Sequence, residues 1–309
     1  MSQNIRGILF LLAGIAVFSL QDLILKLLSG AYPLHEAMVV RSIAATPILL
    51  LIAHRDGGLG TLMTAGRGQM LGRGVLNFLA YTAYYLALAA LPIATTVTLY
   101  FTTPFFITAL SILFLGERVS ALRWFVLLGG FAGVLVVMRP GGAEFSWAMV
   151  LPVLASFFYA AAMIVTRRIG GKETATAMAF YSNLTFLIGA LALAAAFGSG
   201  AHADESQKAV AFLLRGWSMP PVTDLALMAA CGLIAAIGLT LLTQAYRIGQ
   251  ANAVAPFEYS ALFWGLMWGW LAWGDWPDRP TWVGIAMLVG AGLMLLYSER
   301  RTPIEEPAA

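Results

Sequence analysis

Apolar runs of about 20 residues alternate along the chain with short charged, Pro or Gly punctuation. A helix rises 1.5 Å per residue, so runs of this length cross a hydrocarbon core about 30 Å thick. Ten windows qualify, at 6 to 29, 33 to 54, 69 to 90, 93 to 115, 121 to 139, 146 to 167, 175 to 197, 222 to 246, 249 to 273 and 280 to 298. Only Leu91 and Pro92 separate the third window from the fourth. A single span of more than about 40 residues is longer than a bilayer accommodates, and Pro92 supplies the break. The pattern predicts an all-α integral membrane protein with ten transmembrane helices.

Composition strengthens that reading. Hydrophobic residues make up 60% of the 309-residue chain and charged residues 11%, far from the balance of a water-soluble globule. The net charge is only +3 and no basic run occurs, which argues against a nucleic-acid partner. The single cysteine, Cys231, has no intramolecular disulfide partner. With the N-terminus inside, twelve of the 18 basic residues fall in inside loops or span ends, five fall outside, and Arg41 lies within a span. The positive-inside rule then places both termini in the cytoplasm. Arg6 before an apolar run resembles a signal peptide, but Asp22 and Lys26 interrupt the run's end and no small-x-small cleavage pattern follows. The long segment 198 to 221 is expected to be periplasmic, with KAVAFLLRGW either an interfacial helix or a loop.

Ten spans divide into five and five. Phe18, Lys26 and Gly30 align with Tyr159, Arg167 and Gly171 at an offset of 141, while Gly116, Glu117 and Trp124 align with Gly274, Asp275 and Trp282 at 158. The 17-residue difference is taken up largely by the 198 to 221 segment. An odd number of spans per half makes the halves antiparallel, an inverted repeat suited to alternating access. The expected division is a first repeat at 1–141, a second at 142–301 and a short cytoplasmic tail at 302–309.

The stretches 84 to 141 and 245 to 295 each contain a helix ending in Gly plus an acid (GERVS, GDWPD) and then a Gly-rich closing helix. These stretches resemble the two EamA-type repeats of the drug/metabolite transporter superfamily, and the resemblance covers nearly the whole chain. It implies a ten-helix carrier with a solute cavity between its halves. It leaves the solute open, because that superfamily moves amino acids, sugars, vitamins, nucleotide-like cofactors and drugs. Asp275 in place of a second Glu and the long 198 to 221 segment depart from the first repeat.

Ionisable groups at membrane depth are costly and need partners or an aqueous cavity. Asp22 and Arg41 lie at matching depth on consecutive helices, and Lys26 is one turn from Asp22, so Asp22 is expected to contact one or both cations. That cluster reads either as a packing ion pair or as an outer solute or proton site. Glu258, two residues after Pro256, falls near mid-membrane on a helix that the proline interrupts, and Tyr100 with Pro104 is its counterpart. Glu258 is expected to carry a coupling proton or to bind the solute, or else to be a protonated packing group.

Tyr81, Tyr85, Tyr100, Tyr159 and Tyr259 belong to aromatic clusters, a minority of which would line a cavity for a planar solute. Asn77, Asn183 and Gln244 are further polar groups on spans, suited to solute binding or to interhelical hydrogen bonds. The small residues of GGFAG (129 to 133) and GLMWG (265 to 269) allow close helix contacts, within the fold or across a homodimer. His35, His54 and His202 lie near span ends or in loops, and no HExxH, GxSxG, Cys/His cluster or GxxxxGK[ST] loop occurs. No cofactor is expected, and an enzyme or an ATP-driven pump fits poorly. The expected function is secondary active transport of a small organic metabolite across a bacterial inner membrane, with riboflavin or an aromatic amino acid slightly ahead. S-adenosylmethionine or another amino-acid or metabolite solute is the alternative, moved inward or outward, with proton coupling possible and the protein a monomer or homodimer.

Overall fold

The computed structural model describes residues 3–63, 66–116, 121–139, 142, 145–204, 206–250 and 254–301. Among the described residues there is no strand. The α-helices are α1 (Gln3–Leu28), α2 (Leu34–Arg55), α3 (Arg67–Ala90), α4 (Ile93–Tyr100), α5 (Thr103–Leu115), α6 (Ala121–Met138), α7 (Val150–Ile169), α8 (Ala175–Phe197), α9 (Lys208–Leu214), α10 (Val222–Ile248), α11 (Ser260–Trp273) and α12 (Arg279–Arg301). Among the described residues six segments are long and apolar enough to cross a membrane: α1, α2, α8, α10, Ile93–Leu115 and Trp147–Ile169. The chain is a multi-pass membrane protein. Its outer faces carry exposed large apolar side chains such as Leu9, Ile43, Leu113, Phe125 and Phe263, while Arg41, Arg73, Asn77 and Glu258 are buried.

Two helices are interrupted where the sequence places its prolines. α4 ends at Tyr100, and α5 begins at Thr103 with Pro104 in its first turn, where a missing N–H costs nothing. In the C-terminal half a 3-10 turn, Ala255–Tyr259, leads into α11. α5 and α11 both end on a left-handed glycine, Gly116 and Gly274, each with φ of 67°. A residue with a Cβ is strained there, which explains the Gly of each Gly-acid motif. Glu117 itself lies outside the described residues.

The packing is criss-crossed. α10 packs on both α1 and α2, α3 packs on both α7 and α8, α2 meets α8, and α6 meets α12. The α6–α12 crossing closes on glycine: a Cβ on Gly133 would meet the Gly284 carbonyl oxygen at 2.9 Å, and one on Gly284 would meet that of Gly133 at 2.7 Å. Gly265 similarly abuts Val97 on α4, so both small-residue motifs make close contacts within the chain.

The 198 to 221 segment forms a strap over the α1–α2 turn. Its helix α9 packs on α3 with Ala211 and Phe212 buried, so it is a docked helix rather than a free loop. Beyond it, the backbone N–H and hydroxyl of Ser218 donate to Glu36 Oε2 at 3.0 and 3.2 Å, Trp217 stacks on His35, and Arg215 donates to the Ser29 carbonyl.

Candidate functional site

α1, α3 and α4 from the first half, and α7, α10, the 3-10 turn and α11 from the second, enclose a cavity with a water-accessible volume of about 90 Å³. Its polar anchors are two carboxylates. Asp22 on α1 accepts from the Tyr84 hydroxyl at 3.0 Å. Glu258 is held on the 3-10 turn, where the break after α10 aims it inward, and its Oε1 accepts from the Tyr246 hydroxyl at 2.5 Å. Glu258 is 6% exposed, so its environment is set by the protein and the cavity rather than by bulk solvent.

The rest of the wall is mostly aromatic and aliphatic. Phe18, Tyr81, Tyr84, Tyr100, Tyr159 and Trp268 contribute rings. Tyr100 sits between Tyr84 and Tyr159, with ring centroids 5.2 and 5.8 Å away, and Phe18 lies 5.7 Å from Tyr81. These are ordinary tilted and edge-to-face separations. Trp268 donates its indole N–H to Ser19 Oγ at 3.1 Å, which ties α11 to α1. Among the described residues no Lys or Arg lines this cavity.

Of the residues singled out from sequence, the structure brings Asp22, Tyr81, Tyr100, Tyr159 and Glu258 to this one cavity. The others lie elsewhere. Tyr85 is behind the wall, accepting from the Gln21 amide. Tyr259 packs edge-on against Phe101 with centroids 4.9 Å apart. Asn77 donates to Ser182 Oγ at 3.3 Å, and Asn183 donates to the Ser42 carbonyl and Thr46 Oγ1. Gln244 accepts from Arg247 at 3.3 Å. The asparagine bonds bridge helices, whereas the Gln244–Arg247 bond stays within α10.

The expected contact of Asp22 with Arg41 and Lys26 is absent. α1 and α2 diverge after their tight turn and α10 packs against both, so equal depth does not make neighbours. Lys26 instead donates to the carbonyl oxygens of Leu88 and Leu91 at 3.0 and 2.5 Å, capping the C-terminal end of α3, and lies 5.3 Å from the Trp273 ring centroid. A cation at a helix C-terminus satisfies orphan carbonyls and the dipole together. Arg41 lies over Phe186, with its guanidinium carbon 4.6 Å from the ring centroid. Lys26 and Trp273 thus account for each other.

Three features escape the sequence reading. Tyr246, the hydroxyl donor to Glu258, lies twelve residues earlier in the chain. Tyr84, the donor to Asp22, is one of several tyrosines in YTAYY that only its rotation about the helix axis distinguishes. Arg73 reads as an inside-end cation, yet it is fully buried and donates to Thr166 Oγ1 at 2.5 Å, Met178 O at 3.1 Å, Ser182 Oγ at 2.7 Å and Thr243 Oγ1 at 2.9 Å. The available signal is the set of hydroxyls on the spans of α7, α8 and α10, which offer a buried guanidinium acceptors.

Comparison with known proteins agrees with this architecture. The profile of the EamA-like transporter family matches residues 5–139. The riboflavin transporter of Rhizobium johnstonii is 32% identical over 79% of this chain and 75% of its own length. The S-adenosylmethionine uptake transporter of Rickettsia bellii is 27% identical over 79% of this chain and 77% of its own. The pseudopaline exporter of Pseudomonas aeruginosa is 28% identical over 95% of this chain and 97% of its own. A solved crystal structure at 18% identity superposes with a TM-score of 0.69 over 97% of this chain and 99% of that one, which shows a shared fold. The protein belongs to the EamA-like transporter family.

Proposed function

We propose that the protein is a secondary carrier of a small metabolite with a planar aromatic part, working by alternating access between inverted five-helix halves in a bacterial inner membrane. The observation that carries this reading is the cavity itself: two carboxylates and six aromatic rings, supplied by helices of both halves. A ring-lined pocket with a few convergent polar groups suits a planar solute. Relatives named as carriers of riboflavin and S-adenosylmethionine make these the first solutes to test.

The inverted repeat, with halves 1–141 and 142–301, is supported by the helix contacts. The α1–α10 and α2–α10 contacts between the halves are answered by the α7–α3 and α8–α3 contacts, with the roles of the halves exchanged. Gly74 has no room for a Cβ against Thr185 on α8, and Gly232, 158 residues later, has none against Ala44 on α2, 141 residues before Thr185. Three related pairs, Phe18 with Tyr159, Tyr84 with Leu242 and Tyr100 with Glu258, all line the cavity, as they would around a pseudo-two-fold axis. Inverted repeats place their solute site at such an interface. The strap over the α1–α2 turn and the cluster joining Asn4, Arg167 and Gly249 lie where the positive-inside count puts the periplasm and cytoplasm respectively.

A water takes roughly 10–15 Å³ of accessible volume, so about 90 Å³ holds several waters and no metabolite; solute entry requires the halves to part. Thermal stability of the purified protein, measured with riboflavin, aromatic amino acids and S-adenosylmethionine, tests the reading. A solute that binds the folded state raises the melting temperature. Stabilisation by an aromatic solute, lost in Glu258→Gln or Asp22→Asn, is the expected result. Stabilisation unchanged in both variants would remove the solute from this cavity.

A further inference from the structure

Among the described residues two arginines are fully buried, and they are treated in opposite ways. Arg73 has donors bonded to four acceptors on three helices. Arg41 is 0% exposed, yet its Nε, Nη1 and Nη2 all lack a hydrogen-bond acceptor among the described residues. Nor does a described carboxylate reach it: Asp22 is engaged with Tyr84, and Glu258 with Tyr246. The ring of Phe186 covers the guanidinium 4.6 Å away, but a ring face supplies no lone pair to an N–H. A buried charge left without an acceptor is among the costliest groups a fold can keep.

Arg41 is also held in place. Its backbone carbonyl lies at the α2–α10 crossing, where a Cβ on Gly232 would meet it at 2.5 Å. Tyr85, whose oxygen already accepts from Gln21, keeps its O–H hydrogen to give, and Cys231 adds a thiol within electrostatic reach of the guanidinium. The hydroxyl of Ser42, the next residue, is buried without a partner. Phe186 in turn packs edge-on against Tyr81, a wall residue of the central cavity, with centroids 5.4 Å apart. Two rings in succession, Phe186 and Tyr81, therefore lie between Arg41 and the solute path.

We propose that Arg41 is a binding site for a compact monovalent anion, a halide or a carboxylate, seated among Arg41, Tyr85 and Cys231 behind the aromatic wall. A fixed buried cation with a hydroxyl and a thiol beside it complements such an ion, whereas a second cation would be repelled. The anion is distinct from the solute of the carboxylate-lined cavity and has its own readout.

The test is the melting temperature of the purified full-length protein in a non-ionic detergent. Chloride or acetate replaces bulky gluconate at constant ionic strength, so that screening is unchanged. Wild type is expected to gain on the order of 5 °C along a saturating curve at a large excess of anion. Arg41→Gln should lose the dependence, and Arg41→Lys should keep part of it. A response to chloride alone identifies an inorganic ion, and a stronger response to acetate identifies a carboxylate. No anion response in wild type, or an undiminished one in Arg41→Gln, overturns the proposal. If Arg41→Gln does not fold, the wild-type curve and Arg41→Lys still decide: a wild type indifferent to both anions overturns it. Solute counterflow in the same preparation is measured separately, so loss of the anion site and loss of the carrier reading are distinguishable.

Discussion

Tyr246 donates its hydroxyl hydrogen to Glu258 Oε1 at 2.5 Å, across the break that separates α10 from the 3-10 turn. The bond fixes a carboxylate on a 3-10 turn that faces a cavity, the setting in which a membrane protein tolerates both an ionisable group and an interrupted helix. At equal expression, Glu258→Gln should abolish pH-dependent accumulation of solute. Counterflow, which needs no net proton movement, should survive if Glu258 carries a proton and fail if it binds the solute. Wild-type accumulation and pH dependence in the variant would reduce Glu258 to a packing group.

Asp22 and Tyr84 touch, whereas Asp22 and Arg41 do not. In double-mutant cycles read by thermal unfolding, Asp22→Asn with Tyr84→Phe should show a coupling of about 0.5–3 kcal/mol. Asp22→Asn with Arg41→Gln should be additive within about 0.5 kcal/mol. Strong coupling in the second cycle would make Asp22 itself the acceptor for Arg41.

How much of this was legible in the sequence depends on what each feature requires. The windows at 93 to 115 and 249 to 273 locate helices because length and hydropathy are properties of the chain alone, and Pro104 and Pro256 mark their interruptions for the same reason. Asp22 and Glu258 stand out because carboxylates are rare in such runs. Neighbours are a different matter. Depth along a helix follows from counting residues, but rotation about its axis and the identity of the helix packed beside it do not. That is why Asp22 reads as a partner of Arg41 when α10 packs against both their helices, why Lys26 reads as an outer site residue when it caps α3, and why Tyr246 goes unnoticed.

Arg73 joins α3 to α7, α8 and α10 through hydrogen bonds to neutral acceptors. Arg73→Ala should lower stability by about 3 kcal/mol or more, since hydrogen bonds from a charged group contribute roughly 1.5–3 kcal/mol each and their acceptors would be left buried. Reduced melting temperature and reduced yield in the membrane would show it. An unchanged melting temperature would mean that the network is dispensable.

The membrane orientation is open to a direct check. Reporters fused after Arg301 and in the 116 to 121 connection should report cytoplasm, and one at Ser206, within the strap, should report periplasm. A cytoplasmic signal from Ser206 would invert the assignment and require the repeat to be redrawn.

Counterflow by purified protein in proteoliposomes tests the central claim most directly, because it asks whether the cavity holding Asp22 and Glu258 carries a solute through unchanged. The account predicts saturable exchange of riboflavin or S-adenosylmethionine, recovered chemically intact. Asp22→Asn should cut that exchange by about tenfold or more, the equivalent of one lost interaction of roughly 1.4 kcal/mol. Arg139→Gln, which removes the ion pair with Asp278 outside the cavity wall, should leave it intact. Wild-type rates in Asp22→Asn and Glu258→Gln alike, or recovery of a chemically altered solute, would contradict it.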